Sequence, residues 1–224
     1  MKFENTEVWG FEHAIRGCRN PLESWDKSDS KYIDIESEEG IELQSKGIYY
    51  KIGKNDLVLT QKLIKAGSEH RKFLRQIFVS VDITAPLYWW KEFDTYKVGT
   101  VSNSTSTMHK LASTPITIDC FEMDDFEDCK DDSNVYVSAI WVESITRLEK
   151  LRQTYNATKD KRYWKELIRL LPESWLQKRT ITMNYENILN MYRQRKNHKL
   201  TEWSKSFCDW IKTLPYAEEL ICLE

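Results

Sequence analysis

A chain of 224 residues is long enough to bury a full hydrophobic core without disulfide staples. With 33 basic against 35 acidic residues, its net charge of −2 gives no bulk attraction for nucleic acid or anionic lipid. Charges interrupt every apolar run well short of the roughly 18 residues a membrane span needs, and the start MKFENTEVWG has no hydrophobic signal core. The expectation is a soluble, cytoplasmic protein with neither a membrane nor a nucleic acid as partner.

In chain order, residues 4–16 (ENTEVWGFEHAIR) read as a short helix, and the charged, turn-rich stretch from Gly17 to Gly40 reads as a loop or mobile connector. A clearer helix opens at Asn55-Asp56, an acidic N-cap before LVLTQKLIKA, and Gly67 stops it. The segment 73–84 alternates Phe73, Arg75, Ile77, Val79 and Val81 against a more polar face, which is strand periodicity, and Ala85-Pro86 ends it. Pro86 then suits the first position of an aromatic helix, LYWWKEF. The tryptophan pair Trp89-Trp90 reads as core or interface.

Between Gly99 and Thr107 short hydroxyl side chains crowd a segment with little core material, predicting a loop or a ligand-facing turn. Residues 116–121 (ITIDCF) read as a strand, and the acidic run 123–134 as a solvated connector. The second half is helical over 137–158 and again from Lys161 to Pro172, with a strand over 178–184. Asn184 then caps the first of one or two final helices. Few strands, many helices and no alternating βαβ units predict an α+β domain.

Cys18, Cys120, Cys129, Cys208 and Cys222 form no C-x-x-C pair and stand beside no paired histidine spacing, so reduced thiols and no metal site are expected. Nine tryptophans and eleven tyrosines exceed what a core of this size uses, which predicts stacking platforms or a wide subunit interface. Dinucleotide, P-loop, nucleophile-elbow and zinc-helix signatures do not occur. Two constellations are left. Arg195, His198 and Glu202 fall at i, i+3 and i+7, on one face if a single helix carries them, and read either as a solvated stripe or as cation, imidazole and carboxylate offered to a polar ligand. The region from His70 to His109 joins a histidine, expected to be partly buried, to a strand, a tryptophan pair and the hydroxyl-rich turn.

The order of these segments resembles the flavin-dependent thymidylate synthases, the thymidylate synthase complementing family, over roughly residues 55–220. One part of the resemblance is Glu69-His70, the strand ending in Ala85-Pro86, and LYWWKEF leading to the place of the family signature R-H-R-x-x-S-x-N-E-x-S-x-R-Y. The other is Leu171-Pro172, a strand, then Asn184, Asn190, Arg195, His198 and Glu202 in the family's order, one residue short between Arg195 and His198.

This resemblance implies a single domain over residues 1–224, with residues 1–54 poorly matched: a small, mostly antiparallel sheet with several packed helices. It implies reductive methylation of dUMP to dTMP, with carbon from methylene tetrahydrofolate and hydride from FAD that NADPH has reduced, and a homotetramer sharing each flavin between subunits. His70, Asn184, Asn190 and His198 match flavin-binding positions. Lys97, Thr105 and Arg195 match nucleotide-binding positions, and no residue is matched to a protein nucleophile.

The signature itself departs. Thr95, Tyr96 and Lys97 stand where R-H-R belongs, and the arginine before the Leu-Pro step falls on Ile168, leaving Lys97, Arg195 and Lys91 or Arg169 as cations. Loss of three charge-assisted hydrogen bonds in an unchanged pose would cost about 4 to 9 kcal/mol. The sequence therefore keeps two further readings open: a variant acting on a related pyrimidine nucleotide, and a non-catalytic homologue that binds a nucleotide or protein partner on the same scaffold.

Overall fold

A computed structural model of the protein describes residues 1–34, 48–124, 126, 128 and 136–223. Most of the acidic run, including Cys129, lies outside the described residues, as does the stretch 35–47. A four-stranded sheet has the order β1-β4-β6-β5, where β1 is Lys2–Trp9, β4 Phe78–Pro86, β5 Val101–Ser104 and β6 Leu176–Asn184. A separate antiparallel pair joins β2, Lys31–Asp34, to β3, Ile48–Lys51, with Lys31 opposite Lys51. Among the described residues no helix is long and apolar enough to cross a membrane. The mixture of a small sheet with several helices is the α+β class expected.

The chain divides into two compact units. The first comprises Met1–Glu4, Asp82–Tyr96 and Ser102–Thr180. Its core gathers Leu111, Ile116, Phe121, Leu148 and Leu167, the last two from helices α5 (Val137–Thr158) and α6 (Lys161–Arg169). Trp89 and Trp90 of helix α3 (Leu87–Phe93) are 0% and 1% exposed, so the pair is core, as its apolar bulk predicts. Residues 116–121 do not form the expected strand. Ile118–Cys120 make a single tight turn, and Phe121 alone bridges to Trp175, because Pro115 and Asp119 interrupt the alternation a ladder needs. The short helix α4, Thr107–Lys110, is capped by the Ser106 hydroxyl, which accepts from the His109 amide.

The second unit comprises Asn5–Val81, Lys97–Val101 and Ile181–Glu224. Residues 4–16 are not one helix. The chain runs as β1 to Trp9, turns at Gly10 with φ +96°, and only then winds into α1, Phe11–Arg19. A Cβ on Gly10 would lie 2.1 Å from the Gln76 carbonyl oxygen, so no other residue fits that turn. Within the stretch after α1, the described residues 20–34 are fastened to the body of the unit. Ser28, Asp29 and Ser30 all hydrogen bond the Asp56 carboxylate, which also takes the Arg19 guanidinium at 2.5 Å. Asp56 is therefore not the N-cap of helix α2 (Lys54–Ala66); it is fully buried, and Asp29 instead accepts from the Asn55 and Asp56 amides at the helix start.

Gly67 ends α2 in the positive-φ region, as its residue type predicts. Arg71–Gln76 then form a tight helical turn, so strand β4 starts later than the alternation at Phe73 implies. Along β4 and into the turn, Ile77, Val79 and Val81 are fully buried. Burial pushes the thiols of Cys18 and Cys208 up to about 11, leaving both protonated at neutral pH. The four described cysteines are unpaired.

Candidate functional site

Six of the seven expected site residues, His70, Lys97, Asn184, Asn190, Arg195 and His198, belong to the second unit. They group around helix α7, Tyr185–Arg195. The strand-to-helix turn is pinned by the Tyr185 amide, which donates to the Ile77 carbonyl at 2.9 Å, and by the burial of Met183 and Tyr185 on either side of the cap. Asn184 is the N-cap, as predicted. Its Oδ1 accepts from the Asn187 amide at 3.0 Å, and Asn187 Oδ1 accepts in return from the Asn184 amide at 3.2 Å. Asn187 Nδ2 then donates to the Val98 carbonyl at 2.7 Å. Beside it Gly99 has φ +77°, and a Cβ there would stand 3.0 Å from both Asn184 Nδ2 and Asn187 Oδ1. The segment bearing Lys97 is thus fastened to the start of α7. The exposed Lys97 ammonium makes no ion pair among the described residues.

One turn along, Glu186 is 7% exposed and takes two guanidinium groups. Arg75 Nε donates to its Oε2, and Arg71 Nε to its Oε1 at 3.5 Å. Arg71 Nη2 also donates to Asn190 Oδ1 at 2.9 Å. The hydrogen bond and charge of Glu186 hold the Arg75 guanidinium above its ordinary pKa, while burial and the facing Arg71 charge hold Arg193 below its own. His70, expected to be partly buried, is exposed instead: the turn ending α2 lifts it off the core, and its amide bonds the Gly67 carbonyl at 3.1 Å.

Arg195, His198 and Glu202 do not share one helical face. Helix α7 ends at Arg195, and the His198 ring Nδ1 accepts the Leu200 amide at 3.2 Å, a donor that a continuous helix would send to the carbonyl four residues back. A wide helical turn, Glu202–Phe207, follows, with Glu202 and Trp203 buried. The Arg195 guanidinium lies over the Trp203 ring, 4.7 Å from its centroid.

Thr105 is in the first unit, described by itself. Its amide and hydroxyl both donate to the Lys178 carbonyl, at 2.9 and 3.2 Å, and its own carbonyl accepts from Gln177 Nε2 at 2.9 Å. The hydroxyl-rich segment is thus partly a strand, β5, exposed along its length. A cleft of about 440 Å³ opens beside it, lined by Thr105, Ser106 and Thr107 together with Lys2, Lys110, Glu4, Asp119 and Glu122. At the signature position, Thr95 Oγ1 bonds back to the Glu92 carbonyl at 2.7 Å, finishing α3. Lys91 and Arg169, the cations the sequence leaves in reserve, are paired with Glu173 at 2.6 Å and Glu166 at 2.5 Å. Among the described residues no group of His, Cys, Asp and Glu is arranged to hold a metal ion.

Arg71, Arg75, Glu186 and Arg193 escape a search by family position. The helical spacing Glu186, Asn190, Arg193 puts three polar side chains on one stripe of α7, which is the signal that would have found them.

No protein-family model matches the sequence, and no curated protein matches it either. Solved structures do. A crystal structure of flavin dependent thymidylate synthase ThyX from Helicobacter pylori, complexed with FAD and dUMP, is 16% identical, with all of both chains covered and a TM-score of 0.67. A second structure of ThyX from Helicobacter pylori with FAD and dUMP is 15% identical, covering 99% of this chain and 97% of its own, with a TM-score of 0.69. Over its whole length the chain has the fold of these flavin-dependent thymidylate synthases.

Proposed function

We propose that the protein is an enzyme of the flavin-dependent thymidylate synthase type, acting over residues 1–224 as one functional domain and as a homotetramer. It reductively methylates dUMP, or a related pyrimidine nucleotide, using methylene tetrahydrofolate and FAD that NADPH reduces. The observation that carries this reading is the full-length likeness to two structures that hold FAD and dUMP. The donor set of the second unit fits an anionic flavin dinucleotide. His70 has an exposed imidazole, and among the described residues Lys97 has an ammonium without an ion pair and Asn190 an amide of which only the oxygen is engaged, by Arg71. When bound, FAD would supply the hydride.

The chain's own residues then bind and orient. His70, Asn190 and His198 hold the flavin, with Asn184 contributing only its Nδ2 because its oxygen caps α7. Lys97 and Arg195 hold the nucleotide anion. Thr105 offers its hydroxyl only as an acceptor, since its proton goes to the Lys178 carbonyl. Freshly purified protein should be yellow with flavin absorbance, should have the solution mass of a tetramer, and should release tritium from 5-tritiated dUMP when given folate and NADPH. Flavin-loaded protein that releases none removes the activity.

A second reading, a non-catalytic nucleotide-binding homologue, draws support from Thr95, which replaces a signature cation with a hydroxyl turned to its own backbone. Colourless protein that FAD does not stabilise, but another nucleotide does, decides for it.

A further inference from the structure

Two guanidinium groups converge on one buried carboxylate at α7, and a third is carried by the same helix. Glu186 takes Arg71 and Arg75 through their Nε atoms, while Asn190 takes Arg71 Nη2. Arg193, two turns beyond Glu186 and three residues beyond Asn190, lies on the same helical stripe. Glu69 lies within electrostatic range of Arg75 as a second carboxylate. Even with Glu69 counted, three cations meet two anions.

The fork geometry sharpens the point. Each arginine has five N–H donors. Arg75 uses its Nε on Glu186, neither of its terminal nitrogens makes a hydrogen bond among the described residues, and its side chain is 57% exposed. Among the described residues Arg71 has one terminal nitrogen uncommitted, and Arg193 makes no hydrogen bond or ion pair. Burial and the charge of Arg71 hold the Arg193 guanidinium below its ordinary pKa, although the residue as a whole is exposed. A buried carboxylate that fixes two forks, with a third cation on the same helical stripe, is preorganised for an anion with several oxygens.

We propose that Arg71, Arg75 and Arg193, oriented by Glu186, form a binding site for the phosphate groups of a nucleotide ligand, a diphosphate in the first instance. The assignment rests on the flavin reading only for the identity of that ligand, since His70 precedes Arg71 and Asn190 bonds it. The trio supplies cations on the turn after α2 and on α7, in a chain whose signature segment has Thr95 and Tyr96 in place of cationic and imidazole residues.

Titration of the full chain with FAD, riboflavin and ADP tests this. For wild-type protein, FAD and ADP affinity should fall as salt rises from 50 to 300 mM, while riboflavin, which has no phosphate, should not respond. The double variant Arg75→Gln, Arg193→Gln should lose roughly tenfold or more in FAD and ADP affinity per guanidinium removed, leave riboflavin unchanged, and recover when Lys stands at 193 instead of Gln. Equal FAD affinity in wild type and variant, with no salt response, overturns the trio and leaves the flavin reading intact. Arginine-dependent ADP binding without any flavin binding upholds the trio and removes the flavin reading. Wild-type protein that binds neither ADP nor FAD overturns the proposal, and that measurement requires no variant to fold.

Discussion

Asn184 and Asn187 exchange hydrogen bonds across the first turn of α7, each side-chain oxygen accepting the other's amide, at 3.0 and 3.2 Å. Asn187 then ties Val98 to the same turn. One reciprocal pair therefore sets both the start of the helix and the place of the loop that carries Lys97. Replacing Asn184 with Ala should cost about 1 kcal/mol of stability, and Asn184→Asp should keep most of it, because a carboxylate caps as well as an amide. Urea denaturation of the three proteins checks the order.

Gly99 is the second fastening. At φ +77° with two amide groups 3.0 Å from where a Cβ would stand, Ala is both strained and crowded. Gly99→Ala should destabilise by about 1–2 kcal/mol. On the proposed reading it should also weaken nucleotide binding, through the displaced Lys97, more than it weakens flavin binding. A variant as stable as the parent removes the claim that this turn is packed against α7.

The pair Arg19 and Asp56 is buried, at 5% and 0% exposure, and joins α1 to α2. Removing one partner strands the other in the interior, so Asp56→Ala should cost about 3–5 kcal/mol. The double variant with Arg19→Met should recover part of that loss, since no unpaired charge is left. Thermal unfolding of the four proteins closes the cycle.

Acid should expose the same pair. Burial pushes the Asp56 carboxyl up, but the hydroxyls of Ser30 and Ser28 and the Arg19 guanidinium together outweigh it and hold it below the usual range. In the first unit the Arg152 fork, the Ile116 amide and Gln153 hold Glu149 at about 2. Both groups have folded pKa values below their unfolded ones, so their stabilisation is complete above about pH 4.5, the unfolded range, and drains away as the pH falls through the folded values. The denaturation midpoint should be flat in these terms from pH 7 to 5 and should drop below pH 4. Asp56→Asn, weaker at pH 7, should show a shallower acid decline.

Arg195 lies over a buried indole, a contact typically worth about 0.5–2 kcal/mol. Arg195→Ala should lower the melting temperature modestly. On the proposed reading it should abolish most of the thermal shift from dUMP while leaving flavin colour in place. Loss of colour with an intact dUMP shift would reverse the roles assigned to Arg195 and to the flavin contacts.

Local chemistry alone was enough for several elements. Asn184 before an apolar-periodic run is a cap wherever it occurs, Gly67 ends a helix because only glycine relaxes at that φ, and Ala85-Pro86 closes a strand because proline has no amide to donate. The α+β class and the burial of Trp89 and Trp90 follow from periodicity and apolar bulk in the same way. What the tertiary structure decided lies where a residue's partner is far away in sequence. Asp56 looks like a cap and is instead a buried anion held by residues 19 to 30, and that contact converts an apparent connector into a fixed turn. Arg195 and His198 look like one helical face until the His198 ring takes a backbone amide and ends it. Most plainly, Glu186 meets Arg71 and Arg75 across more than a hundred residues, and no spacing rule reaches that far: which side chains share a charge is settled only when the chain has packed.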